Sequence, residues 1–261
     1  MNISVVIRTK NQERELEFLL KNLKTRYDDD VDEIIVIDNL SSDNSENISS
    51  QYDAKFITIK NFSYGGSANI AAQSASSNIV VLFSAHSYPV SHDFFKLIKK
   101  VFIENTNLAG VRCLHNPNDY QNFINGISAK EDPNKSGLVF AGSAFSKEVW
   151  LKHNFNEDVP TFEDKEWTLR VLKEGYDIEL VPAIFCYDKK RTKAQTYFRF
   201  KNDLKGNYQI WGISPSWKGV FYGVLIGFFK IIKESLIDIY YLFKRFLKRI
   251  SFKINKPKKL V

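Results

Sequence analysis

The stretch Asn78 to Pro89, NIVVLFSAHSYP, decides the fold. Its apolar run, Ile79 to Phe83, stops abruptly at Ser84-Ala85-His86-Ser87. A run that short, rich in Val, Ile and Phe, reads as a buried strand that delivers its last side chains to the edge of a sheet. In open α/β sheets ligands bind at the carboxyl edge, so the role of His86 is the first question the chain poses.

Outward from this strand the same grammar repeats. Ile3 to Ile7 is a buried strand, followed from Asn11 to Lys24 by Leu16, Leu19, Leu20 and Leu23 at helical spacing. A second strand, Glu33 to Ile37, ends at Asp38; Ser41-Ser42-Asp43 offers helix caps, and Phe56 to Ile59 reads as a third strand. Tyr64-Gly65-Gly66 opens a helix of small residues, Ser67 to Ser76. Strand and helix alternating over short links predict a mostly parallel, right-handed, Rossmann-like α/β sheet flanked by helices. The second half is less regular. A helix from Asp93 to Ile103 is followed by a polar segment, 105–137, read as loops around a short strand at Ala109 to Cys113. Then come the apolar Leu138 to Phe145, a short helix from Ser146 to His153, a helix from Phe162 to Glu174 stopped by Gly175, and a last strand from Ile178 to Ile184.

Two common nucleotide folds are disfavoured. The first strand is followed by Arg8-Thr9-Lys10-Asn11, not by GxGxxG, and no GxxxxGK[ST] sequence occurs, so neither a dehydrogenase nor a P-loop NTPase is expected. With 261 residues, 44% of them hydrophobic and 26% charged, the chain is long enough for one α/β domain and an appendage. Cys113 and Cys186 have no spacing suggestive of zinc or a disulfide framework, which fits a reducing cytoplasm. The start, MNISVVIRTK, runs straight into a strand pattern and lacks the order of a signal peptide.

The net charge of +7 is unevenly distributed. Residues 191 to 261 hold 16 Lys/Arg and 3 Asp/Glu, a surplus of +13, which leaves −6 for residues 1 to 190. The tail explains this. Between Phe228 and Ile250, at about 100° per residue, Lys230, Lys233, Glu234, Asp238, Lys244, Arg245, Lys248 and Arg249 fall within roughly 160°, with Ile232, Leu236, Ile239, Phe243, Phe246 and Ile250 opposite. The preceding apolar run, Gly219 to Phe229, is well short of the roughly 20 residues needed to span a bilayer, so an interfacial amphipathic helix on anionic lipid is expected. The competing reading is that its apolar face packs on the main domain. Gly219, Gly223 and Gly227 recur every four residues, a stripe that suits close packing within the chain or between two copies. Nucleic-acid binding is not expected, because the basic residues alternate with an aliphatic face instead of lining a groove with stacking aromatics.

Several residues carry chemistry, each with a plainer alternative. Glu163-Asp164 place two carboxylates in the first turn of a helix, where the macrodipole favours ionisation and a base for a hydroxyl proton can sit; Thr161-Phe162-Glu163-Asp164 also fits a capping box with Thr161 as cap. Asp38, at a strand end, suits a nucleobase or ribose, or an Asx turn. Gly65-Gly66 ahead of a helix exposes N–H groups suited to a phosphate, or simply makes a turn. His86 can ligate a metal, act as acid or base, or cap the next segment. Asp188, the one acid in CYDKKR, can complete an oxygen-rich site for Mg2+ or Mn2+, or be a solvated partner for Lys189, Lys190 or Arg191.

Taken in order, SVVIRTKN, EIIVIDNLSSDNS, YGGSANIAAQSASSNIVVLFSAHSYP, FNEDVPTFEDKEW and the Gly175 helix end resemble the family 2 glycosyltransferases, which have the GT-A fold. The resemblance covers roughly Ile3 to Gly206 and is similar in detail to bacterial rhamnosyltransferase-like members. It implies a GT-A domain over residues 1–206 and a basic helical tail over 207–261. It implies that Thr9, Asn11 and Asp38 hold the nucleobase and ribose of a nucleotide-sugar donor, with Gly65, Asn69, Ala85 and Ser87 completing the donor site. The metal and diphosphate would lie at Ala85 to Ser87, and Asp164, beside Glu163, would be the base. The activity implied is inverting transfer of a hexose or deoxyhexose to a saccharide, lipid-linked acceptor in surface polysaccharide synthesis, at the inner face of the membrane. The Asp-x-Asp metal motif is missing, with Ser84 and His86 where its carboxylates would be, and Tyr187-Asp188 stands where relatives tend to have a histidine. Two outcomes follow: His86 and Asp188 hold a divalent cation between them, or Lys189, Lys190 or Arg191 neutralise the diphosphate. A catalytically inactive nucleotide-binding scaffold is the rival to an enzyme.

Overall fold

The structure, a computed structural model, describes residues 1–260. The first half runs β1 (Ile3–Thr9), α1 (Glu13–Arg26), β2 (Glu33–Asp38), α2 (Ser45–Gln51), β3 (Lys55–Thr58), α3 (Tyr64–Ser74), β4 (Ile79–Ser84) and β5 (Ser87–Pro89). The second runs α4 (Phe94–Glu104), β6 (Leu108–Leu114), α5 (Pro117–Ile124), α6 (Pro133–Ser136), β7 (Ser143–Ser146), α7 (Lys147–Lys152), α8 (Glu163–Lys173) and β8 (Asp177–Tyr187). Two further helices follow, α9 (Lys193–Trp211) and α10 (Trp217–Ile254). The chain divides into two compact units, Met1–Trp211 and Gly212–Val261.

In the first unit one sheet carries the strands in the order β3-β2-β1-β4-β7-β6-β8-β5. It is mostly parallel: β1 pairs parallel with β2 and β4, β2 with β3, and β6 with β8, while β7 runs antiparallel between β4 and β6, as does β5 against β8. The mostly parallel, Rossmann-like sheet expected from the sequence is present, with β7 and β5 as its antiparallel members. Strand alternation sorts the core onto two faces. Val5, Ile7, Val81 and Phe83 pack with Leu16, Leu20, Phe94 and Phe95 of α1 and α4, whereas Val6, Val80 and Leu82 pack with Ala68, Ala71 and Ala72 of α3 and with Trp167 of α8. Small residues on α3 let that helix lie close to the sheet.

Segment 105–137, expected as loops, contains α5 and α6. Each begins with Pro at the first helical position after an Asx cap, Asn116 and Asp132 respectively, whose side chains accept two backbone N–H groups. These helices are short and lack a strong apolar period, so the caps define them. Helix α9 was likewise not expected; Gly206 is its buried contact point, and a Cβ there would press on Phe162 and Thr161.

In the second unit α10 runs unbroken for 38 residues, so the apolar run at 219–229 and the amphipathic stretch after it are one helix. None of its residues is buried. Among the described residues no helix is long and apolar enough to cross a membrane.

Candidate active site

The carboxyl ends of β1, β4, β6 and β8 point the same way and meet at one edge of the sheet, where a cleft of about 570 Å³ opens. Its walls differ in character. One is built from Arg8 at the end of β1, the segment Val139–Ala141 leading into β7, and Glu163 and Asp164 at the start of α8. The other is built from His86 after β4, His115 after β6, and Tyr187, Lys189 and Arg191 from the end of β8. Lys10, Gln12 and Asn39 line it beside β1 and β2, and Gln195, Arg199 and Asn202 of α9 close another side.

The first wall is fully connected. Arg8 is an arginine inside a strand buried over its whole length, and its charge is matched by Glu163, with Nη1 3.3 Å from Oε1 and both side chains buried. Nη2 donates to the Phe140 carbonyl at 2.8 Å, and Nη1 also reaches Ser67 Oγ at 3.2 Å. Phe140 in turn donates its N–H to Asp164 Oδ2 at 2.9 Å, and the Lys165 N–H donates to Oδ1 at 2.8 Å. Burial, and then the neighbouring Asp164 carboxylate, push Glu163 up to about 7 against the pull of Arg8. Lys165, drawn down to about 8 by burial, binds the carbonyls of Asn134 and Gly137 at 3.2 and 3.1 Å and fastens this turn of α8 to α6.

The capping box is corrected. Position N-cap is Phe162, in the left-handed region at φ 68°, and no side chain caps the helix. A bulky residue there is strained and persists only where packing holds it. Phe162 is held by Trp211, its ring centroid 5.6 Å away, and by the close approach of Gly206. Helix α9 thus sets the angle at which Glu163 and Asp164 enter the cleft.

The donor residues expected from the sequence separate into two groups. Thr9 and Asp38 are register partners on neighbouring strands, and each leaves a buried oxygen, Thr9 Oγ1 and Asp38 Oδ1, without a partner. Asp38 Oδ2 accepts the Ser41 N–H at 2.9 Å, so the Asx turn is present as well. Asn11, at φ 48°, ties the loop down by accepting from Ser42 N–H at 2.8 Å; its neighbours Lys10 and Gln12 reach the cleft instead. Gly65 and Asn69 do not line the cleft. The Gly66 N–H is taken by Ser63 Oγ at 2.9 Å, and a Cβ on Gly65 would collide with the Asn156 carbonyl, so the glycine permits packing and the phosphate reading is corrected. Asn69 clamps the same loop through Phe155 and Glu157 and accepts from Trp150 Nε1 at 2.9 Å. Ala85 and Ser87 are also absent from the lining: Ala85 N–H binds the Arg8 carbonyl at 2.9 Å, and Ser87 Oγ binds Ser84, so together they shape the turn that presents His86.

His86 and Asp188 are not brought together as side chains. Tyr187, at the end of β8, and Lys189 and Arg191, in the segment after it, line the cleft, whereas Cys186 and Asp188 are exposed and do not. Asp188 meets His86 only through its N–H, 3.0 Å from the His86 carbonyl. His86 is buried, its Nδ1 lies 3.1 Å from the Gln12 amide nitrogen, and its Nε2 has no partner. Burial, then Lys189, Arg191 and Arg8, press its pKa down to about 3, so the ring is neutral. A Mg2+ or Mn2+ ion takes oxygen ligands, carboxylates foremost. Here the donor set is one imidazole and a serine facing two cations, and no cluster of three or more His, Cys, Asp or Glu side chains suited to a metal occurs among the described residues. These residues do not fit a cation held by the protein itself.

Sequence reading passed over Arg8 and His115. His115 stacks on Phe185, with centroids 5.2 Å apart, and its Nδ1 lies 2.6 Å from Asp119, which also binds Arg112 at 2.5 Å. Burial opposes ionisation of Asp119, but hydrogen bonds and charge from His115 and Arg112 outweigh it and hold its pKa at about 2. The signal was present: Arg8 and Arg112 each interrupt an apolar strand, and a buried arginine requires a buried carboxylate.

Residues 4–149, more than half the chain, match the model of glycosyl transferase family 2, and the chain belongs to that family. The solved structures similar to it include a mannosyltransferase from Pyrobaculum calidifontis in complex with GDP-Man and Mn2+, at 18% identity and TM-score 0.63, covering 78% of this chain and 61% of that one. They also include glucosyl-3-phosphoglycerate synthase from Mycobacterium tuberculosis in complex with Mn2+, UDP and glucosyl-3-phosphoglycerate, at 16% identity and TM-score 0.61, covering 82% of this chain and 81% of that one. The fold they share with it is GT-A. This chain thus spans less than two thirds of the length of the mannosyltransferase. No curated protein matches.

Proposed function

We propose that the chain is an inverting glycosyltransferase that moves a hexose or deoxyhexose from a nucleotide sugar to a hydroxyl of a saccharide acceptor. The observation that carries this is the setting of Asp164: a carboxylate in the first turn of α8, lining the cleft, with each oxygen oriented by a backbone N–H. In that position it takes the acceptor proton as the acceptor oxygen attacks the anomeric carbon, and the bond to the donor diphosphate breaks on the opposite side. Glu163 does not share this role; it neutralises Arg8 and so holds the Phe140 segment that orients Asp164. The orphaned oxygens of Thr9 and Asp38 support a nucleoside seated over the ends of β1 and β2. The test is acceptor-dependent release of nucleoside diphosphate from a panel of nucleotide sugars, with the anomeric configuration of the product read by NMR. Retention of configuration, or no release from any donor, sinks the reading.

The acceptor is proposed to be lipid-linked, in surface polysaccharide synthesis at the cytoplasmic face of the membrane. Support comes from α10, whose apolar side chains are exposed along its length and whose polar side is dominated by Lys and Arg. Co-sedimentation with anionic vesicles that weakens in salt, and is lost on removal of residues 212–261, is expected; equal binding to neutral vesicles contradicts it.

A further inference from the structure

We propose that the charge of the departing nucleoside diphosphate is met by fixed side chains, Lys189 and Arg191, with no metal ion bridging it to the protein. The proposal rests on the transferase reading above and concerns how that site works.

Three observations carry it. First, the segment that follows β8 brings both cations into the cleft and leaves the one carboxylate beside them, Asp188, exposed to solvent. Second, Arg191 is fixed: its Nη2 donates to Tyr187 Oη at 2.8 Å, and its guanidinium sits 5.8 Å from the centre of that ring. Third, among the described residues Lys189, Arg191 and Lys10 form no ion pair, whereas Arg8 is matched by Glu163 and Arg199 by Asp203. The Lys189 ammonium is lowered from its usual pKa, by burial first and then by Arg191, against a weaker opposing pull from Glu15. Half-buried cations held near one another without a carboxylate in ion-pair contact raise the free energy of the empty site, and a polyanion relieves it.

His86 shows where that positive potential falls. It stands at the turn after β4, and the cations that most disfavour its protonation are Lys189, Arg191 and Arg8. A divalent cation placed there would meet the same repulsion. An anion would meet attraction. As the anomeric carbon bonds to the acceptor oxygen, the electron pair of the old C–O bond passes to the diphosphate, which gains one negative charge, while the acceptor proton goes to Asp164. Guanidinium and ammonium groups already in place stabilise that charge by charge-assisted hydrogen bonds without reorganising.

The test is calorimetric titration of the full chain with UDP, GDP, dTDP, CDP and ADP, in EDTA and again with Mn2+. The nucleotide that binds is expected to do so in EDTA, with an affinity within about threefold of that in Mn2+. Lys189→Ala and Arg191→Ala should each weaken it by about 10- to 100-fold, as the loss of one hydrogen bond to a charged group implies, at an unchanged melting temperature. Binding that needs Mn2+, or binding in EDTA that both variants retain in full, overturns the proposal and leaves the transferase reading standing. Silence from every nucleotide in both conditions overturns the two together.

Discussion

The two walls of the cleft handle charge in opposite ways. On the wall formed by β1 and α8, Arg8 meets Glu163, and the backbone of Phe140 bridges Arg8 to Asp164. On the wall that continues β8, Lys189 and Arg191 form no ion pair among the described residues. A satisfied network is rigid, and removing a member leaves a buried charge or donor uncompensated. An unsatisfied one contributes little to stability and much to a ligand of opposite sign. The first wall is therefore read as the part that positions the proton acceptor, and the second as the part left open for the donor diphosphate.

That contrast can be broken at its strongest point by Asp164→Asn. The amide keeps an oxygen for one backbone N–H, leaves the other unpaired and removes the proton acceptor, so turnover should fall about 10²- to 10⁴-fold while stability falls by only about 1 to 3 kcal/mol. Full turnover would remove Asp164 from its assigned role. Glu163→Ala tests rigidity instead. It strands Arg8 in a buried strand and is expected to cost about 3 to 5 kcal/mol in urea unfolding, with Glu163→Gln costing less because it keeps a hydrogen-bond acceptor. A loss under 1 kcal/mol would mean that the wall does not depend on the pair.

Acid sharpens the comparison. The folded-state pKa of Asp119, about 2, lies below its ordinary 3.8, so its contribution is fully present above pH 3.8 and is lost as pH falls through about 2. The loss amounts to about 2 kcal/mol at roughly 1.4 kcal/mol per pKa unit. Unfolding free energies measured between pH 5 and pH 2 should show the step, and Asp119→Asn, less stable at neutral pH, should lack it. The smallest effect belongs to the open wall: Lys189→Ala should change stability by no more than about 0.5 kcal/mol, or raise it slightly. A large loss would reveal a partner for Lys189 and erase the difference between the walls.

Much of this was legible in the chain. Ile79 to Phe83, Ile3 to Ile7 and Glu33 to Ile37 were placed as strands because apolar runs of that length have few other uses, and the Leu16 to Leu23 spacing allows only a helix face. The parity of β8 is equally legible as far as the strand runs, since Phe185 is buried and Tyr187 shares its side; Asp188 and Lys189 lie beyond the strand, where parity no longer places them. Helices α5 and α6 were hidden because they rest on caps and not on periodicity. The capping box at Thr161 failed because a local motif yielded to packing, which holds Phe162 in a left-handed conformation between Trp211 and Gly206.

The stretch from Asn78 to Pro89 shows where the division lies. Its own residues determined that it is a buried strand ending at a sheet edge, since burial of apolar side chains with period two is a local property. They did not determine the role of His86. That depended on Gln12, 74 residues before it, which bonds its ring, and on Arg8 near the start of the domain and Lys189 and Arg191 near its end, whose charges act through space. Sequence specified the edge; only the tertiary structure decided that the charge gathered there is positive.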